Sequence, residues 1–293
     1  MDLRIEHLSK TYENGTRALH DVSLTIPPGM FGLLGPNGAG KSTLMRILAT
    51  LQEPDSGAAH LGEIDVLKDP SSVRRTLGYL PQEFGLYPKV TAEDLLDHFA
   101  VLKGITNAAE RKQIVNALFE QTNLESARAK QLGSYSGGMR QRFGIAVALL
   151  GKPKLIIVDE PTAGLDPAER VRFLNLLSEL GENAIVILST HIVDDVSDLC
   201  SHMAIIDKGE IRLEAEPAAA IADLRGKIWV RAVERGELAD YQRDHTVIST
   251  KLSAGKTLVR VLAESQPADG FVPAEAHLED VYFAALRRQP AAA

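Results

Sequence analysis

The chain has 293 residues, 45% of them hydrophobic, and its 32 basic and 39 acidic side chains give a net charge of −7. This length and composition predict one sizeable core with a smaller appendage and exclude a disordered or fibrous chain. The acidic balance offers no general attraction to phosphate backbones, so we expect no nucleic-acid partner. The single cysteine, Cys200, rules out an intramolecular disulfide.

Two sequence features indicate the cellular compartment in which the chain works. Residues 1–10 mix charged and apolar side chains, unlike the apolar centre of a signal peptide. The longest apolar stretch, Phe143–Gly151, is about half of what a membrane-spanning helix needs. We therefore expect a cytoplasmic chain whose work at a membrane would use another polypeptide.

The first predicted elements are strands over residues 2–12 and 18–26. The short apolar run Met30–Leu34 follows them and ends abruptly in a glycine-rich turn. A helix is expected over residues 41–51. Residues 92–131 carry apolar side chains at helical spacing, which predicts a helical insertion.

Strands and helices alternate again in the second half. The apolar runs Leu155–Val158 and Ala184–Leu188 flank a predicted helix over Ala168–Leu180, a pattern that favours a parallel sheet covered by helices. The dipeptide Lys208-Gly209 sits between two further runs and indicates a hairpin.

The pattern changes after Glu216-Pro217. Two short alternating runs, Ile228–Ala232 and Thr257–Leu262, are separated by polar sequence and predict a small α+β appendage. We therefore expect a main domain over residues 1–216, with a helical subdomain at about 90–150, and an accessory domain over 217–293.

Residues 35–43 read GPNGAGKST, a complete G-x-x-x-x-G-K-[ST] motif between a predicted strand and a predicted helix. In a P-loop the glycines let backbone N–H groups face phosphate oxygens, while Lys41 would meet the outer phosphates and Ser42 would meet Mg²⁺. A plain glycine-rich turn is the alternative, and the full motif in this context argues against it. The predicted ATP-binding residues here are Gly35, Pro36, Asn37, Gly38, Ala39, Gly40, Lys41, Ser42 and Thr43.

A second motif ends a predicted buried strand with two carboxylates. Residues 155–161 read LIIVDEP, and Asp159 would hold the hydration shell of Mg²⁺ while Glu160 orients or deprotonates the attacking water. Adjacent side chains at a strand end point to opposite sides, so the two carboxylates can serve the metal and the water separately. A solvated turn would be the alternative without the P-loop. Together these motifs predict an α/β fold built on a P-loop NTPase sheet.

P-loops occur in many enzyme classes, so they indicate nucleotide binding and not the biological task. Residues 135–142 read YSGGMRQR and resemble the signature sequence of ABC ATPases, departing from its commoner form at Tyr135 and Met139. The hydroxyl of Ser136 and the bare N–H groups of Gly137 and Gly138 suit a γ-phosphate at a helix start. An ordinary helix cap at Ser136 is the alternative.

The resemblance covers residues 1 to about 216 and implies roles for four more residues. Tyr12 resembles the aromatic residue that stacks on adenine, and Gln82 in YLPQ resembles the glutamine that senses Mg²⁺ and water. Asp166 in AGLDP looks like the loop that bridges two subunits, and His191 in STH looks like the γ-phosphate switch. Considered one at a time, Tyr12 would suit packing and Gln82 a polar surface position. Asp166 would suit a helix cap, and His191 a structural role. The implied fold adds an antiparallel β-subdomain to the central sheet.

The segment LEDVYFAAL at 278–286, with the signature, is similar to the ATPase subunits of two-component exporters for drugs, antibiotics, lipids or polysaccharides. An amphipathic helix that docks on its own domain would show the same spacing, so the task of this segment stays open. In this family the signature of one subunit closes on the ATP held by another.

The resemblance also implies partners and a location. The partners are a second copy or a paralogue and a separately encoded transmembrane permease, which would dock near Phe84, Leu86, Tyr87 and Pro88. The implied location is cytoplasmic and peripheral, on the inner face of the cell membrane. The cofactors are ATP and Mg²⁺.

Three rival functions differ from an exporter ATPase. An ABC protein that acts on ribosomes or DNA generally has two ATPase domains or long coiled coils, and this sequence has neither. A small-molecule kinase would need an acceptor site and has no use for the signature. A module that holds ATP without hydrolysing it would not need Glu160, Gln82 and His191. The transported substrate is not encoded here, because specificity in such systems resides mainly in the membrane subunit.

Overall fold

The computed structural model describes residues 1–82, 85, 87–162, 165–182, 184–234, 236–253 and 255–287. Its strands are β1 (Leu3–Thr11), β2 (Arg17–Ile26), β3 (Gly29–Leu34), β4 (Ser56–Leu61), β5 (Ile64–Asp65), β6 (Leu77–Leu80), β7 (Leu155–Asp159), β8 (Ile185–Thr190), β9 (His202–Asp207), β10 (Glu210–Ala215), β11 (Ile228–Val233), β12 (Val247–Ser253), β13 (Lys256–Leu262) and β14 (Val272–Pro273). Its α-helices are α1 (Lys41–Leu48), α2 (Pro70–Thr76), α3 (Ala92–Leu102), α4 (Ala108–Gln121), α5 (Gly137–Ala148), α6 (Pro167–Gly181), α7 (Val193–Leu199), α8 (Pro217–Ala222), α9 (Leu238–Asp244) and α10 (Leu278–Arg287).

A six-stranded sheet in the order β10-β9-β3-β8-β7-β6 forms the centre of the fold. Its strands run parallel except for β10, which pairs antiparallel with β9 through the predicted turn at Lys208-Gly209. Every residue of β7 and β8 is buried, as expected for strands covered by helices on both faces. The carboxyl ends of β3, β7 and β8 therefore meet along one edge, where the P-loop and the two carboxylates follow.

The antiparallel sheet β2-β1-β4-β5 covers one face of the central sheet. Strand β2 alternates buried and exposed side chains in its second half, so one of its faces joins the core around α1. The predicted antiparallel β-subdomain is therefore confirmed. A second core lies on the other face of the central sheet, where α6 and α7 pack.

The predicted helical insertion is also confirmed. Helices α3, α4 and α5 share a core of their own, in which Phe119, Tyr135 and Phe143 are buried. Thr91 and Asn107 cap the first two helices with side-chain oxygens that accept backbone N–H groups. Helix α5 starts at the signature and also packs against α6 and β6, so it links the insertion to the central sheet.

The segment after residue 216 contains the sheet β12-β13-β11-β14, with a small cluster around Val259 and Phe271. Helices α8 and α10 instead join the second core of the main domain. The sequence did not show which surface the apolar face of α10 contacts. All four residues of that face are buried within this chain: Leu278, Val281, Tyr282 and Ala285. The helix thus docks on its own domain, while the boundary at residue 216 stays a prediction.

Two sequence expectations differ from the structure. Helix α1 ends at Leu48 and not at residue 51, because Thr50 has a positive φ of 60° and Leu51 follows in a bend. Elements β4, β5, α2 and β6 were not expected, since each is short and half of β4 is glycine and alanine. Within the described residues, no helix is both long and apolar enough to cross a membrane.

Candidate functional site

The P-loop folds tightly around its lysine. Lys41 Nζ is buried and donates to the carbonyl oxygens of Gly35 and Pro36, at 2.7 and 3.2 Å. Gly38 and Gly40 have φ angles of 79° and 109°, in the region that favours glycine, and a Cβ on Gly40 would also collide with the backbone of Ala18. Lys41 therefore holds the loop closed, and replacing Gly38 or Gly40 by another residue would strain the backbone.

Helix α1 begins directly after this loop without a side-chain cap. Its N-cap is Gly40, no side chain accepts its first N–H groups, and its first turn holds no acidic residue. Uncapped N–H groups and the positive end of the helix dipole attract anions. Helix α1 therefore has the uncapped start that a phosphate cradle needs, and the cradle itself stays a prediction.

A pocket of about 370 Å³ opens over this helix start. Its lining residues are Tyr12, Thr16, Arg17, Ala18, Asn37, Gly38, Ala39, Gly40, Lys41, Ser42, Thr43, Gln82 and Glu160. The hydroxyl groups of Tyr12 and Thr43 lie 3.0 Å apart and are hydrogen-bonded. Tyr12 therefore borders the phosphate loop, as the adenine-stacking role requires, and keeps more than a third of its surface exposed.

Glu160 is the point where the predicted catalytic residues converge. Its Oε1 lies 3.4 Å from Lys41 Nζ, and its Oε2 accepts from Gln82 Nε2 at 3.3 Å and lies 3.3 Å from His191 Nδ1. The carboxylate is only about 10% exposed, so Lys41 compensates a charge that burial would otherwise destabilise. Four residues from four separate parts of the sequence thus form one cluster.

The backbone of Glu160 explains how this carboxylate is aimed. Its φ is 47°, a left-handed value that is rare for residues other than glycine, and its N–H donates to Ser189 O at 2.8 Å. Strand β7 ends at Asp159, so Glu160 is the first residue beyond the strand and its left-handed backbone sets where its carboxylate lies. Strained backbone of this kind is common where a side chain must be held in one place.

The side chains expected to hold Mg²⁺ include buried oxygen atoms of the kind that a hydrated cation needs. Asp159 and Ser189 are partners in the parallel register of β7 and β8, and within the described residues Asp159 Oδ1 and Ser189 Oγ are buried without a hydrogen-bond partner. An unpaired buried carboxylate oxygen suits a hydrated cation. Burial raises the pKa of Tyr79, and the charge of Asp159 raises it further. Ser42 and Gln82, the other expected donors, line the pocket.

The signature lies at the start of α5. Ser136 Oγ accepts from Met139 N at 3.2 Å and caps the helix, and Ser136 and Gly137 are exposed. A Cβ on Gly138 would collide with the Glu169 carboxylate, whereas one on Gly137 would meet no atom of the described chain within 4 Å. Of the described residues that line the ATP pocket, none belongs to the signature.

Tyr135, where the commoner signature has leucine, is buried in the helical insertion. Its hydroxyl donates to Ala127 O at 3.1 Å, and its ring makes an edge contact with Phe143. Burial raises the pKa of Tyr135 to about 12. The substitution therefore keeps an apolar packing role and satisfies its one polar atom inside the insertion.

Asp166 is exposed and caps α6, with Oδ1 accepting from Glu169 N at 2.9 Å. It is not a lining residue of the pocket, so the structure does not bring it to the Glu160 cluster. Its neighbours Ala163 and Gly164 lie outside the described residues. The cap and the subunit-bridging role stay compatible, and the latter stays a prediction.

Sequence reasoning missed two groups of residues. Thr16, Arg17 and Ala18 line the pocket, and their position four to six residues after Tyr12 was the available signal. Asp195 is fully buried and accepts hydrogen bonds from Thr162 and Thr190, which lie within two residues of Glu160 and His191. No signal pointed to it, because its neighbour Asp194 is an equally acidic residue that the fold leaves exposed.

Comparison with known proteins agrees with this geometry. Residues 19–163 match the family model of the ABC transporter. The chain is 38% identical over 215 residues to the probable multidrug ABC transporter ATP-binding protein YbhF of Escherichia coli, covering 73% of this chain and 37% of YbhF. It is 33% identical to the daunorubicin/doxorubicin resistance ATP-binding protein DrrA of Streptomyces peucetius, covering 88% of this chain and 82% of DrrA.

Solved structures resemble the same region. A dimeric post-hydrolysis state of the ATP-binding cassette MJ0796, bound to ADP and Pi, is 27% identical, with a TM-score of 0.67 over 73% of this chain and 98% of that one. A second dimeric structure of MJ0796 is 28% identical with the same score and coverage. Sequence, fold and site agree, and the chain therefore belongs to the family of ABC transporter ATP-binding proteins, with an ABC-type ATPase domain.

Proposed function

We propose that this chain binds and hydrolyses ATP to power a separate membrane permease of an exporter, through ATP-driven dimerisation. The observation that carries this proposal is the convergence of Lys41, Gln82 and His191 on Glu160 at the wall of the P-loop pocket. The drug-resistance and multidrug names of YbhF and DrrA support the exporter direction.

The chemistry assigned to these residues is positioning and proton handling. Glu160 orients the attacking water and accepts its proton, while Gln82 and His191 keep the carboxylate in place. Lys41 exchanges its carbonyl and carboxylate contacts for phosphate oxygens when ATP enters. Bound Mg²⁺, held by Ser42, Gln82 and Asp159, would neutralise phosphate charge.

The placement of the signature supports a dimer. Ser136 and Gly137 are exposed at a helix start. None of the described residues that line the pocket of the same chain belongs to the signature. A second subunit can supply this missing wall, and the solved MJ0796 structures are dimeric. The partner chain is a second copy or a paralogue.

A permease would dock on the groove between the central sheet and the helical insertion. The groove has a volume of about 340 Å³, and its lining includes Leu51, Tyr79, Phe99 and Leu102. Leu51 and Leu102 are 60% and 68% exposed, an apolar surface that suits a protein partner. Such docking places the chain on the cytoplasmic face of the cell membrane.

Two residues named for this docking from the sequence, Phe84 and Leu86, lie outside the described residues. The other two, Tyr87 and Pro88, are exposed, and Tyr87 is 65% exposed. Their position after Gln82 keeps them as a proposed part of the docking surface.

The test is ATPase rate against protein concentration for wild type and Glu160→Gln. Removing the base should lower turnover by about 10²-fold or more while ATP binding persists. The wild-type rate should rise faster than linearly with concentration, and the variant should be trapped as a dimer in ATP and Mg²⁺, as measured by size-exclusion chromatography.

Glu179→Gln is a control on an exposed side chain of α6, away from the pocket lining, and should keep the wild-type rate. Unchanged turnover in Glu160→Gln would contradict the assignment of the base. Linear turnover by a persistent monomer would keep the nucleotide site and contradict the dimer.

A further inference from the structure

A buried carboxylate on α7 joins the two segments that carry the proposed catalytic residues. Asp195 has none of its surface exposed, and its Oδ2 accepts from Thr162 Oγ1 at 2.8 Å. The same oxygen lies 3.4 Å from Thr190 Oγ1. Thr162 follows Glu160 by two residues, and Thr190 directly precedes His191, so one carboxylate contacts both sides of the Glu160–His191 pair.

The charge of Asp195 is compensated from a third element. Its Oδ1 accepts from Arg170 Nε at 2.9 Å and lies 2.7 Å from a terminal nitrogen of Arg170, so two nitrogens of one guanidinium share this single carboxylate oxygen in a charge-assisted contact. Arg170 stands in the first turn of α6, and its N–H donates to the carbonyl of Asp166. Both carboxylate oxygens therefore contact partners, and these partners lie in three separate segments. Because one carboxylate contacts all three, Asp195 fixes how these segments lie relative to one another.

The contacts around Glu160 show why that arrangement matters. Glu160 N–H donates to Ser189 O, and Glu160 Oε2 lies 3.3 Å from His191 Nδ1. Thr190 Oγ1 also accepts from Ile192 N at 3.0 Å, which fixes the backbone on the far side of His191. A shift of the Thr162 or Thr190 segment would therefore change the distance between the carboxylate and the imidazole.

We propose that Asp195 is a positioning residue for ATP hydrolysis, which holds Glu160 and His191 at their working separation through Thr162 and Thr190. The inference rests on the proposed function of Glu160 and His191. Asp195 touches no lining residue of the nucleotide pocket in its described contacts, so it should affect turnover and not ATP affinity. A positional error of this kind can cost 10²-fold in rate.

The experiment compares Asp195→Asn with Asp280→Asn in the full chain. Asp280 is an equally buried aspartate in α10, paired with Arg260 by two contacts of 2.7 Å, and it lies outside the site. Both variants should lower the melting temperature. We expect kcat to fall by about 10-fold or more only in Asp195→Asn, with its Kd for trinitrophenyl-ATP within about threefold of wild type.

A second pair of variants decides the matter if Asp195→Asn does not fold. Thr162→Val keeps the shape of the side chain but removes the hydroxyl that donates a hydrogen bond to Asp195. Thr162→Ser keeps that hydroxyl. We expect a fall in kcat for the valine variant and recovery towards wild type for the serine variant, at similar Kd.

Two outcomes would overturn this inference alone. The first is an inactive Glu160→Gln beside wild-type kcat in Asp195→Asn and Thr162→Val. The second is equal loss of kcat in Asp195→Asn and Asp280→Asn, which would indicate a general loss of structure. Full turnover in Glu160→Gln would instead overturn the proposed function and this inference with it.

Discussion

Gly137 and Gly138 are neighbours in the signature, yet a methyl group on each would meet different surroundings. On Gly138 it would displace the Glu169 carboxylate, which pairs with Arg142 and Arg172. We expect Gly138→Ala to lower the free energy of unfolding by no more than about 1 kcal/mol in urea titrations, because the carboxylate is the movable end of a flexible side chain and alanine favours a helix more than glycine does. A loss of more than about 3 kcal/mol would contradict this interpretation of the contact.

Gly137→Ala is the matched control, because its methyl group would meet no atom of the described chain within 4 Å. Its stability should stay within about 0.5 kcal/mol of wild type. In the Glu160→Gln background it should nevertheless prevent the ATP-trapped dimer, since the open space is where we place the γ-phosphate of the partner. A trapped dimer of normal yield would show that this face is not the contact.

The residues of the site could be predicted wherever a motif carried them. Lys41, Glu160, Gln82 and His191 were named from four separate motifs, and the structure brings all four together. The left-handed backbone at Glu160 could not be predicted, since no glycine marks it. The N–H of Glu160 donates to Ser189 O in β8, a tertiary contact that no local sequence pattern indicates.

Helix α10 illustrates stability at the scale of an element. Leu278 is 2% exposed in the second core, and its truncation to alanine should cost about 2–5 kcal/mol, because a cavity remains where the side chain was. Glu279→Ala changes an exposed neighbour on the same helix and should cost less than about 0.5 kcal/mol. Equal unfolding midpoints for the two variants would contradict the docking of α10 on its own domain.

Elements were predictable to the extent that they carried long periodic patterns or buried runs. The strands β3, β7 and β8 begin with apolar runs, and polar side chains appear only at the carboxyl ends of β7 and β8, so the burial of these strands could be predicted directly. Between residues 51 and 91 the elements are two to seven residues long, and β6 is defined by its pairing with β7 and not by its own four residues. Tertiary contacts create such elements, which is why sequence patterns did not show them.

At the scale of the whole molecule, the order of strands could not be read from the chain. β3 pairs with both β8 and β9, which follow it by more than 150 residues. This order brings the P-loop after β3 next to Glu160 after β7 and His191 after β8. The docking of α8 and α10 on the main domain was likewise invisible, because an amphipathic helix does not specify its partner.

The separation of the signature from its own pocket has a consequence for mixtures of defective chains. Lys41→Ala removes the phosphate lysine, Ser136→Glu places a negative charge at the signature, and each variant alone should be inactive as a homodimer. In a mixed dimer of the proposed kind, the intact P-loop of one chain would face the intact signature of the other, so one of the two composite sites would be whole.

An equal mixture of the two variants should therefore regain ATPase activity, up to about a quarter of the wild-type rate if half of the dimers are mixed and each holds one working site. Steady-state ATPase assays of the separate and mixed variants measure this, and a mixture as inactive as its components would argue against composite sites. Defects in the P-loop and in the signature would then behave as complementary alleles, and a single ATP site would be the joint property of two polypeptides.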